Sequence, residues 1–168
     1  MSNSHLRLIV LRHAKTERPH EAPSDHERAL TKRGRGDAPR VAERLVELGW
    51  VPDEVLCSDS LRTTETWDLA HPVLSAGARE PAVHVSRRLY LASVSALLDV
   101  LRRAEGETVM VVGHNPGLEG LVHTLCGEPI GMTTGNAVLL RREVVPWKWA
   151  VDPDGWGLVD VIRPKELG

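Results

Sequence analysis

Phenylalanine is absent from this sequence, tyrosine occurs once and cysteine only twice. With no Phe, Leu, Val and Ala must fill most of the core of the 168-residue chain. Cys57 and Cys126 are too few for a disulfide scaffold and read as small packing residues in a reduced compartment. No apolar run approaches the roughly 20 residues of a membrane span. The opening MSNSHLRLIVLRH has no lysine-led segment or small-residue cleavage site, so it does not read as a signal peptide. These absences predict a cytoplasmic protein with no membrane partner. A dominant charge is missing too. Lys plus Arg number 21 and Asp plus Glu 23, for a formal net charge of −2, which argues against a nucleic-acid binder. No period of 20 to 50 residues repeats and no long polar linker interrupts the chain. Residues 1–168 are therefore expected to form one domain.

What is present alternates between two patterns. Leu6–Leu11, Asp53–Cys57 and Thr108–Val112 are short runs of apolar, largely branched residues, of strand length. Continuous runs of this kind suit a parallel sheet covered on both faces. Between and after them come helical patterns. Thr31 can cap a helix running to Leu48, with Gly49 as its stop. Gly34, Gly36 and Pro39 predict a kink or late start in that helix. Ser60–Ala70, Ser93–Ala104 and Gly117–Leu125 also read as helical. Strand alternating with helix predicts an α/β fold, a three-layer α/β/α sandwich with a mostly parallel central sheet. The last third differs. Asn136–Val145, Trp147–Val151 and Trp156–Ile162 read as strands, with Asp152-Pro153-Asp154-Gly155 as a turn. This predicts a C-terminal antiparallel edge hairpin whose tryptophans cover the sheet edge.

Each of the three apolar runs ends in polar residues. Arg12, His13, Ala14 and Lys15 follow the first. Ser58, Asp59 and Ser60 follow the second, with Arg62 on the next helix. Gly113, His114, Asn115 and Pro116 follow the third. Open α/β sheets bind ligands beyond the carboxyl ends of their strands. Parallel neighbours would thus gather two Arg and two His in one crevice, beside helix N-termini that favour anions. That combination suits a phosphate dianion, because guanidinium forks match phosphate oxygens and an imidazole can attack phosphorus. The other histidines (His5, His20, His26, His71, His84 and His123) fit no motif and read as surface or packing residues. No cluster of His, Asp and Glu has the spacing of a metal site, so neither metal nor cofactor is expected. Asp25 and Arg28 read as an ion pair ordering the loop after the first strand. Arg102-Arg103 and Arg141-Arg142 read as solvated pairs.

Taken together the motifs resemble those of the histidine phosphatase superfamily, which includes phosphoglycerate mutases and acid phosphatases. Leu11-Arg12-His13-Ala14 with Glu17 resembles its Arg-His signature. Ser58-Asp59-Ser60-Leu61-Arg62-Thr63-Thr64-Glu65-Thr66 resembles its Ser-x-x-x-Arg-x-x-x-Thr element, and Val112-Gly113-His114-Asn115-Pro116-Gly117 its second-histidine element. Ser24-Asp25-x-x-Arg28-x-Leu30-Thr31-x-x-Gly34 and Leu89-Tyr90-x-Ala92 are similar to phosphohistidine phosphatases of the SixA type. The resemblance implies a phosphoglycerate mutase-like fold and a metal-independent phosphatase. By the same resemblance His13 is the nucleophile, Arg12 and Arg62 bind phosphate, and His114 hydrogen-bonds the transferring group. Many members carry an acidic residue near the strand that precedes the Leu-Tyr element. Here Val83-His84-Val85-Ser86-Arg87-Arg88-Leu89-Tyr90 offers none. The stretch from Leu69 to Tyr90 is too short for a lid, which favours a phosphorylated protein as substrate. A small phosphomonoester is the alternative, and a non-catalytic phosphate-binding module a further one. The chain is expected to be a monomer or weak dimer.

Overall fold

A computed structural model describes residues 5–168. Six strands form one sheet in the order β3-β2-β4-β1-β5-β6. They are β1 (His5–Arg12), β2 (Glu54–Ser58), β3 (Ala82–Ser86), β4 (Thr108–Gly113), β5 (Ala137–Glu143) and β6 (Gly157–Ile162). The neighbours β3, β2, β4 and β1 run parallel, whereas β5 is antiparallel to both β1 and β6. The three apolar runs of the sequence are thus adjacent parallel strands at the middle of the sheet.

Burial on both faces explains why those runs are continuous. Leu6, Leu8 and Val10 of β1 and Val109 and Val111 of β4 pack on one side. The partners there are α3 (Val94–Leu101) and α4 (Gly117–Cys126), through Leu97, Leu101, Leu118 and Leu121. Ile9, Leu11, Met110 and Val112 face the other side. They meet Val41 and Leu45 of α1 (Lys32–Glu47) and Trp67 and Leu74 of α2 (Leu61–Ser75). The result is the expected three-layer sandwich.

Several expectations are corrected. Helix α1 starts on time, capped by Thr31, and runs unbroken through Pro39. Its first turn is pinned to the loop after β1, where the Thr31 N–H donates to the Lys15 carbonyl at 2.9 Å. Gly34 permits this approach, since a Cβ there would lie 2.2 Å from the Lys15 oxygen. Helix α2 continues past Ala70 to Ser75, whereas α3 stops earlier than its pattern suggested. Trp147–Val151 is not a strand. Trp147–Ala150 forms one short helix, α5, with Trp147 and Ala150 buried and Trp149 63% exposed. The antiparallel edge pair is β5 with β6, and the Asp152–Gly155 turn leads from α5 into β6. Trp147 and Trp156 stack 5.5 Å apart, and their indoles donate to the Gly106 and Ala150 carbonyls. Arg142 is not solvated: it donates to the Ala150 carbonyl at 2.9 Å and so ties β5 to α5. Cys57 is buried, and burial pushes its thiol up to about 12, which fits a packing role. No helix among the described residues is long and apolar enough to cross a membrane.

Candidate active site

The parallel register sets the site. Arg12 pairs with Gly113, so His13 and His114 leave neighbouring strands at the same level. Cys57 pairs with Val112, which brings Ser58 level with them from the other side. The loop after β1 is held on several sides. His13 N–H donates to Gly113, Ala14 N–H to the Thr66 hydroxyl, and Gly135 N–H to the His13 carbonyl. Arg62 stands in the first turn of α2, whose N-terminus is capped by Ser60. The residues that the sequence singled out, Arg12, His13, Arg62 and His114, therefore come together. The two imidazole centroids are 5.4 Å apart.

Both imidazoles are neutral at pH 7. Burial lowers His13 to about 4, with Arg62 and Arg12 adding repulsion against an imidazolium. Burial and Arg62 lower His114 to about 3. A carbonyl can only accept, so the 2.8 Å contact between His13 Nδ1 and the Ala14 oxygen places the proton on Nδ1. Nε2 of His13 then carries a lone pair, the form a nucleophile needs. At His114, Nε2 lies 2.8 Å from the Ser58 hydroxyl, which also accepts from Ser60 N–H. A hydroxyl donates one proton and accepts two, so the contact is either Ser58 O–H to Nε2, which leaves Nδ1–H as a donor, or Nε2–H to Ser58, which leaves Nδ1 as an acceptor. The His114 Nδ1 is buried and has no hydrogen-bond partner among the described residues, and the same holds for Nε of Arg12 and of Arg62. A buried donor left unpaired costs about 1–3 kcal/mol, so two unpaired guanidinium N–H groups in one cluster suit an anion.

Other contacts set the arginines. The Arg12 fork donates to the Met132 carbonyl at 2.8 Å. That oxygen also accepts from Asn115, whose amide in turn reaches Glu119. Arg62 is 3% exposed and donates to the Asp25 carbonyl at 2.7 Å and the Asp25 carboxylate at 3.0 Å. Asp25 also accepts from Arg28 at 3.0 Å and from the Tyr90 hydroxyl. Burial opposes ionisation of Asp25, but hydrogen bonds from Tyr90, Arg28 and Arg62 prevail and hold it well below the usual carboxylate range. The Tyr90 ring stands edge-on to His114 at 5.5 Å and to His26 at 4.8 Å.

Sequence reasoning placed Asp25 with Arg28 but missed its bond to Arg62. It set His26 aside, yet His26 bonds Asp59 at 2.8 Å and braces Tyr90. Tyr90, Asp25 and Ser58 all lie inside the quoted motifs, which were the signal available for them. Glu17 is committed to Ala29 N–H at 2.8 Å, Glu80 to His71 and Asp99 to Arg102. Among the described residues no group of three His, Cys, Asp or Glu side chains could hold a metal ion.

Comparison with known proteins agrees with this geometry. The sequence profile of the histidine phosphatase superfamily (branch 1) matches residues 8–89. The chain is 34% identical over 172 residues to an uncharacterized chloroplastic protein of Arabidopsis thaliana, covering 94% of this chain and 78% of that protein. The chain belongs to the histidine phosphatase superfamily. The family match supports a phosphatase, a hydrolase. An uncharacterized protein of Mycobacterium tuberculosis is 32% identical, covering 68% of this chain and 69% of its own. Among solved structures, the protein histidine phosphatase SixA complexed with tungstate superposes with a TM-score of 0.82. It is 22% identical and the match covers 97% of this chain and 100% of that one. A SixA structure from Agrobacterium tumefaciens gives 0.80 at 24% identity, over 95% and 98% of the two chains. Mycobacterial glucosyl-3-phosphoglycerate phosphatase gives only 0.57 at 18% identity, over 92% and 97%. The fold of this histidine phosphatase is thus of the SixA kind.

Proposed function

We propose that the chain hydrolyses phosphohistidine on a protein, with His13 as nucleophile. The observation that carries this reading is a pocket of two guanidiniums and two neutral imidazoles in which the carboxylate bonded to Arg62, Asp25, cannot hold a proton. Asp25, the carboxylate bonded to Arg62, is held ionised by Arg62, Arg28 and Tyr90. An alkoxide leaves poorly without a proton donor, and a positioned acid supplies about 10² to 10⁴ in rate. An imidazole is a far weaker base and, protonated at its free nitrogen, departs neutral.

His13 Nε2 gives its lone pair to phosphorus as the P–N bond to the substrate imidazole breaks and its electron pair returns to that nitrogen. The phosphorylated His13 ring keeps its Nδ1 proton, bonded to the Ala14 carbonyl. Water then attacks phosphorus, the P–Nε2 bond breaks and inorganic phosphate leaves. Arg12, Arg62 and His114, in its Nδ1–H tautomer, hold the equatorial oxygens through both steps, the usual division of labour in phosphoryl transfer. Residues 76–81 link α2 directly to β3, with no inserted lid, so a side chain on another protein can reach the pocket. The SixA neighbours, and the tungstate held by one of them, fit the same reading.

The test compares turnover in EDTA-containing buffer. Phosphohistidine peptide and p-nitrophenyl phosphate should exceed phosphoserine peptide and glycerol phosphate by at least about tenfold. An alkaline quench should trap phosphate on His13, and His13→Ala should abolish both label and turnover. Equal turnover of phosphoserine would instead mean a broad phosphomonoesterase with an acid recruited from elsewhere.

A further inference from the structure

A second cationic cavity opens beside the catalytic cluster. Its volume is about 290 Å³, and Arg12, Lys15, Arg33 and Lys165 line it with Asp37 as its one carboxylate. Three separate segments bring these cations together. Lys15 follows His13 in the loop after β1. Arg33 stands in the first turn of α1, which Thr31 and Gly34 hold against the Lys15 backbone. Lys165 belongs to the C-terminal turn Pro164–Glu166, whose Pro164 packs on Gly135, the residue bonded to the His13 carbonyl.

The charge in this cavity is not balanced. Asp37 is shared between Arg33 at 3.7 Å and Arg40 at 3.6 Å. Among the described residues Lys15 and Lys165 form no ion pair with any carboxylate. The phosphoryl mechanism uses neither lysine. Arg12 lines the cavity and also belongs to the phosphoryl site, so the two adjoin at that side chain. The threonines Thr133 and Thr134 add hydroxyls suited to a carboxylate.

We infer that this cavity is an anion subsite that receives acidic side chains flanking the phosphohistidine of the protein substrate. The inference rests on the proposed phosphohistidine reading and adds a specificity element to it. Exposed charge pairs are individually weak, so two unpartnered lysines should favour an acidic flank by about three- to tenfold in affinity. The advantage should shrink with salt, as expected for exposed charges.

The experiment measures inhibition constants of phosphohistidine peptides against p-nitrophenyl phosphate turnover, so that binding is read without requiring peptide hydrolysis. One peptide carries Asp and Glu beside the phosphohistidine, the other Asn and Gln. The acidic peptide should bind about three- to tenfold more tightly. The ratio should fall to about one in Lys15→Gln/Lys165→Gln and persist in Arg102→Gln, a surface control. Lys15→Glu/Lys165→Glu should reverse the preference. A ratio near one in the wild type, or one unmoved by both lysine variants, overturns the subsite. A preference confined to small bisphosphorylated sugars overturns its assignment to a protein. Peptides that compete but are not turned over would sink the phosphohistidine reading while leaving the subsite judged by its own ratio.

Discussion

Acid should destabilise this protein through its two buried imidazoles, by an amount that can be worked out. His13 is 6% exposed and His114 4%. Their folded pKa values, about 4 and about 3, lie below the unfolded value of 6.5. Above 6.5 both states leave the rings neutral and the full stability is present. Below it the unfolded chain takes up protons that the folded chain refuses, so stability falls with pH until the folded values are reached. Each unit costs roughly 1.4 kcal/mol per histidine. From pH 7.5 to pH 5 the loss is therefore about 2 kcal/mol each, or about 4 kcal/mol for the pair, a large part of a typical 5–15 kcal/mol. At an m-value of about 2 kcal/mol/M the urea midpoint should drop by about 2 M. Tryptophan fluorescence reads the transition, since Trp50, Trp67, Trp147 and Trp156 are all buried. The buffer must be free of phosphate, because a bound dianion would favour the imidazolium forms. His13→Gln/His114→Gln should lose about 4 kcal/mol less than the wild type over the same interval, and the other titrating groups cancel in that difference. An identical loss in the two proteins would show that the rings are not held neutral, and with that the nucleophile assignment would lose its footing.

Two further outcomes are expected. Arg62→Ala should lose about 100-fold in kcat/KM, the worth of one charge-assisted donor at a developing charge, and Arg62→Lys should recover only part of it. Arg102→Ala, whose partner Asp99 lies on the exposed face of α3, should stay near wild type; equal effects would put Arg62 outside the pocket. Gly117→Ala should lower both Tm and kcat, because a Cβ there would meet the Ala92 carbonyl at 2.1 Å and push α4 away from His114, at a typical cost of about 1–3 kcal/mol. Gly36→Ala, with nothing within 4 Å, should raise stability by up to about 1 kcal/mol, and the reverse order of the two glycine variants would refute the packing argument.

Much of the fold was legible because burial on both faces leaves a mark on composition. The runs Leu6–Leu11 and Thr108–Val112 are apolar without alternation, and a parallel sheet between two helical layers is the economical way to bury them. Strand β3 leaves no such mark. Its residues are mostly exposed, since it has only β2 as a neighbour, and Val83 and Val85 reach 39% and 53% exposure. Helix α5 was misread for a related reason. Trp147-Lys148-Trp149 alternates in polarity like a strand, but burial falls on Trp147 and Ala150, three apart, and four residues are too few to separate the two periods.

The site was legible in its parts and opaque in its connections. Strand-end polar clusters announced Arg12, His13, Arg62 and His114, yet nothing local in the chain indicates that β4 lies between β1 and β2. That order lets His114 stand beside His13 on one side and bond Ser58 on the other. The same holds for Asp25, which is 37 residues from Arg62 and 65 from Tyr90. Its near neighbour Arg28 is a sufficient local partner, so nothing in the local pattern points beyond it. The long-range bond changes the chemistry. A carboxyl paired only with an exposed Arg28 could still be thought to carry a proton toward a leaving alkoxide. One that also accepts from buried Arg62 and from Tyr90 gives up that proton far below neutral pH. The proposed preference for phosphohistidine thus rests on a contact visible only once the chain is folded: the carboxylate bonded to Arg62 is spent on holding that arginine.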